Sequence, residues 1–181
     1  MKPAEEAKAL AQTLQRREAR VVLAESCTAG LVSAMLARVP GISQWHCGAA
    51  VTYREATKVA WLDVSASAIR QHTAVSEPVA REMATGVLSK TPEATFSAAI
   101  TGHLGPDAPA KLDGVVYISV ATRRDGRAHI TGVWRHKLKS GSRYRRQQEA
   151  AALVLRRLTM EVRKSNSSSS SRRVASSTAI V

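Results

Sequence analysis

The stretch at residues 21–30, Val-Val-Leu-Ala-Glu-Ser-Cys-Thr-Ala-Gly, constrains the fold of this chain more than any other. A short β-branched run followed at once by a helix-like segment predicts a buried strand that enters a helix through a tight turn. In open α/β sheets, ligands bind outside the carboxyl ends of the strands, where helix N-termini present free N–H groups. The turn contains Ser26, Cys27 and Thr28, so it provides either a nucleophile or a helix N-cap.

Strand-like and helix-like segments continue to alternate along the chain, which is typical of an α/β fold. Asp125-Gly126 between two apolar runs predicts an antiparallel hairpin. We therefore predict a three-layer α/β/α domain with a mixed, mainly parallel sheet and a C-terminal antiparallel hairpin. The predicted strands cover residues 21–25, 48–53, 96–100, 115–122 and 130–136, and the predicted helices cover 4–18, 31–36, 55–62, 64–72, 77–88 and 145–162.

The composition suits one domain with a sizeable apolar core, because 44% of the 181 residues are hydrophobic. We predict that this domain covers residues 1–162 and that the Ser/Arg-rich tail at 163–181, which has little to bury, is disordered. No apolar run approaches the roughly 20 residues that span a bilayer, and the first residues lack a signal-peptide core. We expect a cytoplasmic location, no membrane partner, reduced cysteines and no metal, because zinc-like Cys/His spacings are missing.

The net charge of +13 raises the question of a nucleic-acid partner. The excess lies mainly at residues 135–146 and in the tail, and it is not interleaved with aromatic side chains. Such patches bind polyanions without specificity and are more often solvated surface, so a nucleic-acid partner is disfavoured.

Three predicted strand ends carry side chains suited to catalysis, at residues 26–30, 53–58 and 101–107. A serine needs a neighbouring base, and none of the five histidines has an obvious claim to that role. Lys58 is the only lysine between Lys8 and Lys90. A desolvated lysine can act as a base, which fits an arrangement in which Lys58 activates Ser26 while Tyr53 relays the proton or holds Lys58 in place.

Each of these residues also has a simpler interpretation that the sequence leaves open. Ser26 could only cap the second helix. Cys27 could be the nucleophile, or a small buried apolar side chain. Lys58 taken alone could be a solvated charge, and the glycines at 102 and 105 could belong to an ordinary tight turn.

At these residues the chain resembles the CinA C-terminal domain family. The segment 24–30 is similar to the family motif Ala-Glu-Ser-Cys-Thr-Gly-Gly, 51–58 to Val-Thr-Tyr-Ser-Asn-Glu-Ala-Lys, and 101–107 to Thr-Gly-Ile-Ala-Gly-Pro-Asp. Further similar segments are 40–43, 72–77, 83–86 and 114–117, so that the resemblance runs in order from about residue 4 to residue 160. The chain departs from these motifs at Ala29, Arg54, Glu55, Thr73, His103 and Leu104.

The resemblance implies an amidohydrolase that converts nicotinamide mononucleotide to nicotinic acid mononucleotide and ammonia without a cofactor. It implies Ser26 as the nucleophile, with Tyr53 and Lys58 activating it. Backbone N–H groups near Cys27 and Thr28 are candidates for an oxyanion hole, and an arginine near the last helix is one candidate for the phosphate. The implied substrate-binding residues are Glu25, Cys27, Thr28, Gly30, Thr101, Gly102, Gly105 and Arg146.

The departures from the family motifs leave a second hypothesis open. Ala29, Arg54 and His103 are compatible with a divergent paralogue that binds a nucleotide or a protein partner without turnover. A homo-oligomer is the default expectation for a small α/β enzyme. The family's separate N-terminal domain, which is associated with ADP-ribose hydrolysis, has no counterpart in these residues, so we expect no such activity.

Overall fold

The structure, a computed structural model, describes residues 2–165, in which five strands form one sheet in the order β2-β1-β3-β4-β5. The strands are β1 Val21–Glu25, β2 His46–Val51, β3 Phe96–Gly102, β4 Val115–Arg124 and β5 Arg127–Lys137. β1 lies parallel to β2 and β3, whereas β3–β4 and β4–β5 are antiparallel. The mixed sheet is confirmed, although the parallel part is half of the pairings rather than most of them.

Helices cover both faces of the sheet because successive side chains of a strand point to opposite sides. The helices are α1 Pro3–Arg17, α2 Leu31–Ala37, α3 Glu55–Leu62, α4 Ala66–His72, α5 Glu77–Ser89 and α6 Arg143–Lys164. Val21 and Leu23 of β1 belong to a core that includes α1, α2 and α6, whereas Val22 and Ala24 belong to one that includes α3, α4 and α5. The predicted three layers are therefore confirmed.

The C-terminal half of the sheet is the predicted hairpin. Asp125 and Gly126, with φ of 49° and 76°, form the turn between β4 and β5, as expected for a two-residue turn that needs positive φ at both positions. The first three strands instead run in the same direction, so that their carboxyl ends meet at one edge of the sheet. This edge contains all three segments that the sequence singles out.

The last helix is longer at both ends than the sequence suggests. Ser142 caps it by accepting a hydrogen bond from the N–H of Arg145, so that the helix begins at Arg143 rather than Arg145. It continues to Lys164, two residues beyond its predicted end at residue 162, so that Arg163 and Lys164 of the predicted tail are helical. The division of the chain at residue 162 stays a prediction. The remaining predicted tail, residues 166–181, lies outside the described residues.

Within residues 2–165, no helix has both the length and the apolar character needed to cross a bilayer. The cytoplasmic location and the homo-oligomeric state stay predictions.

The contact between α3 and α5 gives a first test of the fold. A Cβ atom added at Gly86 of α5 would lie 1.9 Å from the carbonyl oxygen of Leu62 at the end of α3. We expect Gly86→Ala to lower the free energy of unfolding by about 2 kcal/mol or more, because overpacking forces the helices apart.

Urea denaturation of wild type and variant measures this loss. Gly141→Ala is the matched control, because an added Cβ there meets no atom within 4 Å. Equal stability of the two variants would contradict the packing described here.

Candidate active site

The buried carboxylate of Glu25, at the end of β1, organises the turn that follows it. It accepts four hydrogen bonds, from the N–H groups of Gly30 at 3.0 Å, Val32 at 3.1 Å and Ser33 at 2.8 Å, and from the hydroxyl of Thr28 at 2.7 Å. Glu25 therefore satisfies the N-terminus of α2, whose unpaired N–H groups favour an anion. The interpretation of Ser26 as the cap of α2 is wrong, and its hydroxyl is available for another partner.

That partner is the amine of Lys58. Nζ of Lys58 donates to Oγ of Ser26 at 2.9 Å and to the main-chain oxygen of Thr52 at 2.7 Å. The side chain is 1% exposed because Lys58 lies one turn before Leu62 on the buried face of α3. The interpretation of Lys58 as a solvated charge is therefore wrong.

Burial lowers the pKa of the Lys58 amine from its ordinary value, because removal from water disfavours the charged form. The charge of Glu55 acts in the opposite direction and raises this pKa. The net direction is downward, which brings the amine closer to the neutral form that can accept a proton.

The thiol of Cys27 lies beside Ser26 but is a weaker candidate for the nucleophile. Burial raises its pKa to about 12, so that the thiol keeps its proton at neutral pH. A thiol that keeps its proton is a weak nucleophile, which favours Ser26 over Cys27. The side-chain amide of Gln147 on α6 donates to the main-chain oxygens of Cys27 and Thr28 at 3.5 and 3.1 Å, which fixes this turn against the last helix.

The main-chain N–H groups of the turn at residues 27–30 differ in whether they already have hydrogen-bond acceptors. Within residues 2–165, the main-chain N–H groups of Cys27 and Thr28 do not donate to any other residue, whereas those of Ala29 and Gly30 are bonded to Ser26 and Glu25. A main-chain N–H beside a nucleophile is the kind of donor from which oxyanion holes are built.

A cavity of about 660 Å³ opens beside Ser26. It brings together seven of the residues that the sequence singles out, namely Ser26, Cys27, Tyr53, Lys58, Thr101, Gly102 and Gly105. They come from the ends of β1 and β3, the segment after β2, and α3. The predicted convergence of three strand ends thus produces one cavity.

Four other predicted substrate-binding residues do not line this cavity. Thr28 and Gly30 both donate hydrogen bonds to the Glu25 carboxylate in the cap of α2. Arg146 donates to both carboxylate oxygens of Asp113 at 2.6 and 2.9 Å and to the main-chain oxygen of Leu104 at 3.2 Å. These contacts hold the loop after β3 against α6, and the same guanidinium lowers the pKa of the Asp113 carboxyl.

An arginine of α6 that does line the cavity is Arg143, in the first turn of the helix. Its guanidinium donates to the main-chain oxygen of Gly105 at 2.6 Å and to the hydroxyl of Tyr53 at 2.8 Å. The family resemblance pointed instead to Arg146 in the arginine-rich stretch 143–146, and the predicted helix began two residues too late to include Arg143. The N-cap Ser142 was the signal that could have corrected the register.

Tyr53 lies at the mouth of the cavity, where its side chain is 55% exposed. Its hydroxyl accepts from Arg143, and within the described residues 2–165 it has no hydrogen bond to Ser26 or Lys58. The structure brings Tyr53 into the cavity but not into contact with the two groups it was predicted to serve. Arg54, Glu55, His103 and Asp107 also line the cavity.

The comparison with known families identifies the kind of domain. Residues 4–162 match the family model described as the CinA C-terminal domain. The chain belongs to the CinA C-terminal domain family. Among described residues 2–165, this CinA-family domain has no group of three or more His, Cys, Asp or Glu side chains that could hold a metal ion.

Individual relatives differ in length and in name. Nicotinamide-nucleotide amidohydrolase PncC of Escherichia coli K12 is 38% identical over 134 residues, which cover 73% of this chain and 78% of that protein. A CinA-like protein of Myxococcus xanthus is 39% identical over 112 residues, but the match covers 61% of this chain and 26% of that protein. The chain thus spans about a quarter of such longer relatives.

Solved structures of the family share the fold. The competence damage-inducible protein A of Klebsiella pneumoniae superposes with a TM-score of 0.82 and 25% identity, covering 91% of this chain and 99% of that one. A CinA superfamily protein of Escherichia coli superposes with a TM-score of 0.77 and 27% identity, covering 87% of this chain and 90% of that one.

The conformation of Ala29 gives a test of the turn. Ala29 has φ of 52°, a left-handed conformation that costs a residue with a Cβ atom about 1 kcal/mol. We expect Ala29→Gly to raise the free energy of unfolding by about 1 kcal/mol. Ala34→Gly, at an exposed position inside α2, is the control and should lower stability by about the same amount. Destabilisation by both changes would contradict the strain at Ala29.

Proposed function

We propose that this chain is a cofactor-independent serine amidohydrolase that deamidates nicotinamide mononucleotide to nicotinic acid mononucleotide and ammonia. The observation that carries the proposal is the 2.9 Å contact between Oγ of Ser26 and a desolvated lysine amine inside a cavity. The substrate is taken from the name of the PncC relative, which matches most of this chain. Membership in the CinA C-terminal domain family supports the same choice.

In the first half-reaction the neutral amine of Lys58 acts as the base. The main-chain oxygen of Thr52 accepts one amine N–H. In the neutral amine, the 2.9 Å contact between Nζ and Oγ of Ser26 reverses its direction, so that the nitrogen lone pair accepts the hydroxyl proton. As Oγ bonds to the carboxamide carbon, Lys58 takes the hydroxyl proton and the carbonyl oxygen becomes negative. The main-chain N–H of Cys27, which lines the cavity, is the donor that we assign to this oxyanion, and such a donor is worth about 3 kcal/mol.

Collapse of this intermediate completes the exchange. The Lys58 ammonium gives its proton to the departing nitrogen, the C–N bond breaks and ammonia leaves, so that Ser26 carries an ester of the nicotinic acid group. A water molecule then attacks the ester while Lys58 accepts its proton. Release of the acid returns the proton to Ser26, and the net reaction is amide plus water to acid plus ammonia.

Arg143 is the residue that we assign to the substrate phosphate, in place of Arg146. Both of its acceptors, the oxygen of Gly105 and the hydroxyl of Tyr53, are uncharged, so its positive charge has no carboxylate partner there. A guanidinium at the mouth of a cavity can bind a phosphate with two parallel hydrogen bonds. In this arrangement Tyr53 orients Arg143 and does not relay the proton.

Ammonia release from nicotinamide mononucleotide tests the proposal directly. The wild-type protein should release ammonia and Ser26→Ala should not, while both bind the nucleotide in calorimetry. Binding to both proteins without ammonia from either would favour the alternative of a non-catalytic nucleotide-binding paralogue, to which the strained Ala29 and the altered cavity residues Arg54 and His103 also point.

The state of Lys58 predicts how activity depends on pH. The amine must be neutral to act, so kcat/KM should rise with pH and level off above a midpoint below the ordinary lysine pKa of about 10.4. Lys58→Arg should lose activity by about 1,000-fold at every pH, because a guanidinium does not deprotonate.

Lys90→Arg is the matched control, because Lys90 is a surface lysine paired with Asp63. It should keep both the rate and the profile. A pH-independent kcat/KM, or an active Lys58→Arg protein, would contradict the role of Lys58.

The assignment of Arg143 predicts a change in substrate affinity. Arg143→Gln should raise KM for nicotinamide mononucleotide about tenfold, with a small effect on kcat, because it removes a charged hydrogen bond to phosphate. The same variant should treat the phosphate-free nicotinamide riboside as the wild type does. Arg145→Gln, which removes an exposed arginine outside the cavity, should change neither value. An equal effect of Arg143→Gln on both substrates would refute a phosphate contact.

A further inference from the structure

The cavity contains negative as well as positive side chains. Glu55 and Asp107 line it together with Arg54 and Arg143. Among residues 2–165, neither carboxylate takes part in a salt bridge or accepts a side-chain hydrogen bond, whereas Asp113 is paired with Arg146. The cavity therefore offers two unneutralised carboxylates to whatever occupies it.

Glu55 is the carboxylate that acts on the reacting groups. It begins α3 three residues before Lys58, and side chains at this spacing lie on the same side of a helix. Its negative charge raises the pKa of the Lys58 amine. Glu55 by itself therefore works against the neutral amine that the proposed mechanism needs.

A positively charged ligand would reverse this effect. A cation near Glu55 compensates its charge, and a cation near Lys58 disfavours the ammonium form. Both changes bring the amine toward the state that accepts a proton from Ser26. With an uncharged ligand of the same shape, the charge of Glu55 would still raise the pKa of the Lys58 amine.

We propose, on the basis of the proposed function, that Glu55 is a specificity residue that selects amide substrates whose ring carries a positive charge. The oxidised pyridinium ring of nicotinamide mononucleotide has this charge, whereas the reduced dihydropyridine form has the same amide, ribose and phosphate on an uncharged ring. The Glu55 carboxylate attracts the positively charged pyridinium ring of the oxidised form, whereas the ring of the reduced form has no charge for it to attract. Glu55 stands where the family motif quoted above has Asn.

Binding to a protein that cannot react isolates this contribution. In a Ser26→Ala background, the oxidised nucleotide should bind about fivefold more tightly than the reduced one, as expected for one partly solvated charge pair. Adding Glu55→Gln should abolish the preference by weakening binding of the oxidised form alone. Adding Asp125→Asn, which removes one negative charge at the distant hairpin turn, should leave the preference unchanged.

Turnover by proteins that retain Ser26 separates this inference from the proposed function. The ratio of kcat/KM for the oxidised over the reduced nucleotide should fall in Glu55→Gln and remain in Asp125→Asn. An equal ratio in wild type and Glu55→Gln would overturn the role of Glu55. A preference in binding that depends on Glu55, with no ammonia from either nucleotide, would support that role and overturn the amidohydrolase. Failure to bind either nucleotide would overturn both.

Discussion

The hydrogen bonds of the Glu25 carboxylate are the interaction on which the rest of the site depends. A buried carboxylate is tolerated only where donors replace its water, and the N-terminus of α2 together with Thr28 provides them. Because Glu25 takes over the capping of α2, Ser26 and the N–H groups of the next two residues are not used by the helix. Glu25, which does not line the cavity, therefore leaves free the Ser26 hydroxyl that we propose as the nucleophile and the Cys27 N–H that we propose as an oxyanion donor.

The same site contains elements that reduce stability. Burial lowers the pKa of Lys58 in the folded protein, so folding releases a proton from its amine at pH values between the folded-state and the unfolded-state pKa. The contribution of Lys58 to stability is fully present only above the unfolded-state pKa. This contribution is lost as pH falls from that value through the folded-state pKa. Ala29, three residues after Ser26, adds backbone strain because of its left-handed conformation. Such unfavourable features persist at functional sites when the surrounding structure holds them in place, as the sheet and the cap of α2 do here.

Local patterns in the sequence predicted most of the fold and the central pair of the site. The strand and turn at 21–30 and the Asp125-Gly126 hairpin have short-range signals, and Lys58 stood out among lysines that are otherwise scarce in its region. The roles of Glu25, Arg143 and Tyr53 could not be found in this way. Tyr53 and Arg143 are 90 residues apart, so their contact follows from how α6 packs on the sheet and not from either local pattern.

The two charges that we assign to the cavity also bear on release of the product. In the reaction that we propose, hydrolysis turns the neutral carboxamide into a carboxylate next to Ser26 and in the same cavity as Glu55. Two negative groups repel each other there, while the phosphate keeps its attraction to Arg143. The repulsion between Glu55 and the product carboxylate therefore offsets the attraction between Glu55 and the ring only after the C–N bond has broken. A single carboxylate can thus favour the cationic amide on entering and disfavour the acid that remains, which helps the site to empty without a change in the fold.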